Sequence, residues 1–263
     1  MPSPVENSRV VSARPDLVLL HGIVMSGAVW REVVPLLEPH HRVHAPTALG
    51  HRGGPAVRRR PARLADVVDD AERHLDELGL ERPHLAGNSM GGWVALELAA
   101  RGRAASVCAL SPAGLWQGDA AAHSGAVRKL RRLVWLARVS RPVAPPFLRL
   151  PPVRRLVLRD VAERGDRLAA ADAVRTALDT AGCAIAADLL GSDEALTARA
   201  PGCPVTVAWS EHDAILPVER FGPIVRERLP EATFRILPSV GHVPMIDDPN
   251  LVAATVLDST RTG

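Results

Sequence analysis

Six short apolar runs, each ending at a turn residue, constrain the fold of this chain more than any other feature. The runs cover residues 17–20, 42–45, 84–87, 106–110, 205–209 and 233–237. Short, nearly continuous apolar runs are typical of strands that are buried on both faces of a parallel sheet. Because helical patterns lie between them, the sequence predicts an α/β fold in which helices flank a mostly parallel central sheet.

Helical patterns with clear start and stop signals separate these strands. We predict helices over residues 64–78, 90–100, 218–229 and 251–257. The first follows Pro61 and is closed by Gly79, which are typical boundary residues. Asp248 and Pro249 supply an N-cap and a first-turn proline for the last helix. Asp247 is also interpreted as part of this cap.

The alternation of strands and helices fails between residues 114 and 199. This segment contains Arg-rich and Ala-rich helical patterns around a cluster of prolines, and no convincing strand. We therefore expect residues 1–113 and 200–263 to form the α/β core, and residues 114–199 to form a helical cap. Basic residues with few acids concentrate in the cap. They indicate either a solvated helix face, inflated by GC-rich coding, or attraction of an anionic substrate, an acyl-carrier partner or a membrane surface.

A Gly-x-Ser-x-Gly motif, with Ser89 at its centre, joins a predicted strand to a predicted helix. In this context the motif indicates a nucleophile elbow, a sharp turn that raises the serine hydroxyl above the sheet. The backbone passes so close to itself there that Gly87 and Gly91 must be small. Neither a Walker lysine nor a Gly-x-Gly-x-x-Gly motif supports the alternative of a phosphate-binding turn.

A nucleophilic serine needs a base, and the base needs an acid that orients it. In the fold that carries a nucleophile elbow of this kind, the chain order is serine, then acid, then histidine. Of the three histidines after Ser89, His242 is the candidate base because it lies in a loop after the last strand, whereas His123 lies in the insertion. His212 is a poor candidate because no acid at the end of a strand precedes it in the chain. Asp213 directly follows the preceding strand and is the predicted acid, and Glu211 is the second choice.

Two backbone N–H groups are expected to bind the negative charge that develops on the substrate oxygen. One should come from Met90, which follows the nucleophile. The other should come from Ile23, in the loop after the first strand, where Gly22 permits a close approach. The imidazole of His21 is interpreted as structural, because it precedes the predicted acid in the chain.

Composition limits the other possible functions. The 263 residues carry a net charge of only +3, which gives no argument for nucleic-acid binding. The three cysteines match neither a disulfide framework nor a metal-ligand spacing, and we expect no metal and no cofactor. Tyrosine is absent, so no tyrosine can act as a catalytic acid. Without a signal-like start or a membrane-length apolar run, a cytoplasmic protein is expected.

The chain resembles the α/β-hydrolase superfamily from Leu17 to the C-terminus, apart from the insertion. The resemblance rests on His21-Gly22, the sequence GNSMGG at residues 87–92, Asp213 and Gly241-His242, whereas Thr47 stands where relatives often carry an acid. It implies a cofactor-free serine hydrolase of a carboxylic ester or related acyl compound. The alternatives are a carbon–carbon bond hydrolase of ring-cleavage products, a cofactor-free perhydrolase or haloperoxidase, and a small-molecule binding protein without activity.

Overall fold

A computed structural model describes residues 14–116, 120–198 and 201–261, and six strands within them form one parallel sheet. The strands are β1 Asp16–Leu20, β2 Arg42–His44, β3 His84–Asn88, β4 Ser106–Leu110, β5 Val205–Ser210 and β6 Thr233–Leu237. Their order across the sheet is β2-β1-β3-β4-β5-β6. All six predicted strands are confirmed, each within one residue at either end. Residues 10–11, which the sequence leaves as a candidate for an additional N-terminal strand, lie outside the described residues.

Helices connect the strands at nearly the predicted positions. The helices are α1 Val34–Leu37, α2 Leu64–Glu77, α3 Met90–Ala100, α4 Ala120–Ser140, α5 Ala144–Phe147, α6 Pro151–Leu158, α7 Ala170–Gly182, α8 Ala186–Leu189, α9 Val218–Arg228, α10 Pro244–Asp247 and α11 Pro249–Thr260. At the start of α11 the Asp248 carboxylate accepts a hydrogen bond of 2.9 Å from the Leu251 N–H, as expected of an N-cap.

The centre of the sheet forms the core of the molecule. Every residue of β3, β4 and β5 is buried, and successive side chains of a strand point to opposite faces, so both faces of the sheet are covered. Helix α3 packs on β1, β3 and β4, and helix α11 packs on β4 and β5. The edge strand β6 is largely exposed. Rigid central strands therefore fix the loops that leave their carboxyl ends.

Between β4 and β5 the described residues contain helices and no strand. This segment comprises α4 to α8, and the proline cluster becomes the two short helices α5 and α6. Asp179 of α7 links the segment to the sheet loops. Its carboxylate accepts hydrogen bonds of 2.6 Å from the Ser26 hydroxyl and 2.7 Å from the Arg52 guanidinium. No helix among the described residues is both long enough and apolar enough to span a membrane.

Candidate active site

Ser89 occupies a strained turn between β3 and α3. Its φ of 54° and ψ of −114° lie where non-glycine residues are rarely found. A Cβ atom at Gly87 would lie 2.2 Å from the Gly91 carbonyl oxygen, and one at Gly91 would lie 2.1 Å from the Leu20 carbonyl oxygen. Both positions therefore require glycine, because the opposing atoms belong to the backbone and cannot move aside.

Asp213 and His242 lie in direct contact in the loops after β5 and β6. The distance from Asp213 Oδ2 to His242 Nδ1 is 2.7 Å, and the side chains are 0% and 5% exposed. The other carboxylate oxygen accepts hydrogen bonds from the backbone N–H groups of Ile215 at 2.9 Å and Leu216 at 2.7 Å. An ionised carboxylate only accepts, so Nδ1 carries the proton and Nε2 of the neutral ring is free to accept one.

The loop that carries His242 is tied to the serine turn through Asn88. The Asn88 side-chain amide donates to the His242 carbonyl oxygen at 2.9 Å and to the Leu110 carbonyl oxygen at 3.2 Å. Within the described part of the chain, no hydrogen bond is recorded between the Ser89 hydroxyl and the His242 ring. The structure thus joins Asp213 and His242 directly, and ties the serine turn to the loop of His242 through the Asn88 side chain.

The second-choice acid and the other two downstream histidines lie in different surroundings. Glu211 is about half exposed, and its carboxylate accepts a hydrogen bond of 2.8 Å from the Ser239 N–H. His212 is exposed, with ring nitrogens 3.7 Å from Glu163 and 3.8 Å from Glu211. His123 stacks on the Trp116 ring at a centroid distance of 4.5 Å.

The two candidate oxyanion donors lie on the same cavity as Ser89. Ile23 and Met90 both line it, and for neither backbone N–H is a protein acceptor recorded among the described residues. A Cβ atom at Gly22 would lie 3.4 Å from Ser89 Cβ, so the loop after β1 rests against the serine. Both N–H groups therefore remain candidates for the oxyanion donors.

Two buried histidines connect the loops after β1 and β2. His21 donates from Nδ1 to the Gly22 carbonyl at 2.8 Å and accepts at Nε2 from the Ala48 N–H at 2.9 Å. His51 accepts at Nε2 from the Val24 N–H at 3.2 Å, and the two rings lie edge to face at 4.9 Å. Burial, reinforced by His51, lowers the pKa of His21 to about 3, and burial also lowers the pKa of His51. Both rings are therefore uncharged near neutral pH and hold the loop that carries Ile23.

Asp247 has a different role from the helix cap assigned to it above. Its carboxylate is completely buried and accepts backbone hydrogen bonds from Gly241 at 2.8 Å, Glu163 at 3.0 Å and Arg164 at 2.7 Å. Of these two aspartates, only Asp248 caps helix α11. Asp247 therefore fixes the residue before the candidate base. The sequence shows only adjacent aspartates before a helix, and that signal does not separate the two roles.

The cavity above Ser89 is small and mostly apolar. It measures about 60 Å³ and is bounded by side chains from the core and from the helical insertion. These include Trp93, Trp116, Val127, Leu130, Leu190 and Leu216. Such a lining suits an uncharged group next to the serine hydroxyl and keeps bulk water away from it.

Comparisons with known proteins identify the family to which the chain belongs. The chain is 32% identical to epoxide hydrolase EphH of Mycobacterium tuberculosis over 73% of its own length and 92% of the relative's. It is 28% identical to the pimeloyl-[acyl-carrier protein] methyl ester esterase of Aeromonas hydrophila, over 89% and 91% of the two chains. A thermophilic esterase from Thermogutta terrifontis has the same fold, with a TM-score of 0.72 and 22% identity over 95% and 90%. Residues 17–255 match the model of the alpha/beta hydrolase family, and the chain therefore belongs to that family of hydrolases.

Proposed function

We propose that this protein is a cofactor-free serine hydrolase of carboxylic esters or related acyl compounds. The observation that carries the proposal is the buried hydrogen bond between Asp213 and His242, on the sheet edge where the strained turn presents Ser89. A carboxylate in this position stabilises the imidazolium that forms when the ring takes a proton.

In the first half of the proposed reaction, Ser89 Oγ attacks the substrate carbonyl carbon and its proton passes to His242 Nε2. The hydroxyl has to turn toward the ring, since the two share no recorded hydrogen bond, and such contacts often tighten only when substrate is bound. The N–H groups of Ile23 and Met90 bind the oxyanion. When the tetrahedral intermediate collapses, the alcohol leaves with the proton from His242, and an acyl group remains on Ser89.

Water completes the cycle. A water molecule gives a proton to His242 Nε2 and attacks the acyl carbon, and collapse of the second intermediate returns that proton to Ser89 Oγ as the acid leaves. The apolar lining of the cavity limits how much other water reaches the acyl group. We further propose that residues 114–199 act as a cap that shapes the acyl pocket, since insertion residues line the cavity beside Ser89.

The name of one relative raises epoxide opening as a second chemistry. A serine that attacks an epoxide carbon would form an ether, which has no carbonyl carbon for water to attack, and the enzyme would stay alkylated. An aspartate nucleophile would form an ester instead, but residue 89 is serine. The chain also contains no tyrosine that could protonate the epoxide oxygen. An acyl substrate therefore suits this site better than an epoxide.

Steady-state assays with p-nitrophenyl esters, styrene oxide and a ring-cleavage dienone test the proposal. The wild type should release p-nitrophenol, and Ser89→Ala should lower kcat by about 10³-fold or more. Styrene oxide should not be turned over. Turnover of the epoxide, or ester hydrolysis that survives Ser89→Ala, would contradict the proposal. A dienone that greatly exceeds the esters in kcat/KM would instead identify a carbon–carbon hydrolase.

A further inference from the structure

The helices α4 to α6 carry a concentration of positive charge that no acid balances. Residues 120–159 contain ten basic residues and no Asp or Glu. They are Arg128, Lys129, Arg131, Arg132, Arg138, Arg141, Arg149, Arg154, Arg155 and Arg159. Four of them serve the fold by donating to backbone carbonyls, namely Lys129, Arg131, Arg138 and Arg154. The other six are exposed, and no ion pair is recorded for them within the described ranges.

Several arginines outside this stretch are paired with acids. Arg52, Arg59 and Arg60 each lie within 2.6 to 2.8 Å of an aspartate carboxylate. A general excess of arginine, such as biased coding would produce, does not explain why the acids are missing from one continuous stretch. The charge is therefore a local property of α4 to α6 and is open to an anionic partner.

Exposed apolar side chains concentrate in the same stretch. Of the ten large hydrophobic residues that are exposed in the described chain, seven lie between residues 135 and 156. They are Trp135, Leu136, Val139, Val143, Phe147, Leu150 and Leu156. Trp135 is 62% exposed and Phe147 is 57% exposed. Exposed aromatic and aliphatic residues grouped in this way mark an interaction surface.

Helix α4 combines the two properties on one face. Arg128, Arg132, Trp135, Leu136 and Val139 follow one another at helical spacings of one, three or four residues, so they share the side of the helix that faces away from the core. All five are exposed, whereas Val134 on the opposite side is buried. An amphipathic surface of arginine with tryptophan and aliphatic residues is typical of helices that lie on a membrane.

The same surface opens into an apolar cavity of about 170 Å³ between α4, α5, α6 and α7. Leu136, Val143 and Phe147 line this cavity and are exposed at its mouth. An acidic protein would pair with the arginines, but it would not fill the apolar mouth of this cavity. A lipid bilayer offers both anionic head groups and hydrocarbon, and this favours lipid over a protein partner.

We propose that the protein docks on anionic lipid bilayers through a cap patch formed by Arg128, Arg132, Trp135, Leu136, Val139, Arg141, Val143 and Phe147. The arginines bind lipid phosphates, and Trp135 and Phe147 enter the interface between head groups and acyl chains. Docking does not require turnover, so it stands or falls separately from the proposed hydrolase activity.

Co-sedimentation with vesicles tests this proposal. The full-length protein should sediment with vesicles of phosphatidylcholine mixed with phosphatidylglycerol, and much less with phosphatidylcholine alone. Arg128→Glu combined with Arg132→Glu should lower the partition coefficient by at least about tenfold. Trp135→Ser combined with Val139→Ser should lower it by about tenfold, with a loss that persists at high salt. Ser89→Ala should sediment like the wild type.

Control variants outside the cap patch distinguish binding through this patch from a general effect of net charge or hydrophobicity. Arg59→Glu combined with Arg261→Glu makes the same change in net charge at another place on the surface. Leu78→Ser removes a leucine that is 40% exposed. Both controls should sediment like the wild type. Failure of the wild type to bind anionic vesicles, or equal losses in patch and control variants, would overturn the proposal. So would binding of an acidic acyl-carrier protein that the patch variants lose while vesicles are not bound.

Discussion

Asp247 Oδ2 accepts a hydrogen bond of 2.8 Å from the N–H of Gly241, the residue that precedes His242. The same carboxylate accepts two N–H groups from residues 163 and 164 in the segment before α7. One buried side chain therefore sets the position of the candidate base relative to the helical insertion.

Asp247→Asn should disturb this position. An amide offers an N–H where the carboxylate offers an acceptor, so at least one buried donor would lose its partner, at a cost of about 1–3 kcal/mol in the free energy of unfolding. The kcat for p-nitrophenyl acetate should fall as well. Asp248→Asn is the matched control, because asparagine is an equally good N-cap. Equal effects of the two substitutions in urea unfolding and in kcat would contradict this role for Asp247.

Asp213→Asn tests which carboxylate orients His242. The amide cannot stabilise the imidazolium and favours the wrong ring tautomer, so kcat should fall by about 10⁴-fold. Glu211→Gln should leave kcat nearly unchanged, because the Glu211 carboxylate accepts from the Ser239 N–H and does not contact the His242 ring. Steady-state kinetics of the two variants decide the matter, and the opposite ranking would make Glu211 the acid.

Gly91→Ala should destabilise the turn that carries Ser89. The new methyl group would lie 2.1 Å from the Leu20 carbonyl oxygen, so strand β1 or the turn has to shift, at a cost of about 3 kcal/mol or more. Gly125→Ala, in an open position on α4, should instead stabilise the protein by about 0.5–1 kcal/mol through helix propensity. Chemical denaturation measures both, and a Gly91→Ala variant as stable as the wild type would refute the close approach.

The buried histidines predict how stability depends on pH. The pKa of His21 is about 3 in the folded protein, against about 6.5 in an unfolded chain, so below pH 6.5 the unfolded state binds more protons. His21 therefore makes the free energy of unfolding fall as pH drops from 6.5 toward 3, by up to about 1.4 kcal/mol per pH unit. Burial lowers the pKa of His41, His51 and His84 in the same direction.

Urea unfolding at pH 7 and pH 5 measures this dependence. Replacing His21 by Asn removes one titrating group. The loss in the free energy of unfolding between pH 7 and pH 5 should therefore be about 2 kcal/mol smaller for His21→Asn than for the wild type. An unchanged pH dependence would mean that His21 is not held uncharged in the folded protein.

Local patterns were sufficient to predict the sheet, and they also led to the residues that are proposed for catalysis. The six apolar runs had turn residues at their ends. Gly87 reported a backbone contact with Gly91, four residues away, whereas the carbonyl group that crowds Gly91 belongs to Leu20 of the distant strand β1. The chain order then selected Asp213 and His242.

Contacts between distant segments could not be predicted in this way. The hydrogen bonds of Asp247 reach back about eighty residues to positions 163 and 164, and the His51 ring meets the Val24 N–H through the packing of two loops. Neither leaves a periodicity or a motif in the sequence. The cap patch was visible as a charge run, but its meaning depended on which side chains remain exposed.

Covalent labelling of the nucleophile tests the central claim most directly. A fluorophosphonate probe should add one adduct to the wild-type protein, and peptide mass spectrometry should locate it on Ser89. The rate of labelling should fall sharply in His242→Ala, because the serine hydroxyl then has no base to take its proton. An adduct on another residue, or a rate unaffected by His242→Ala, would contradict the proposed roles of Ser89 and His242.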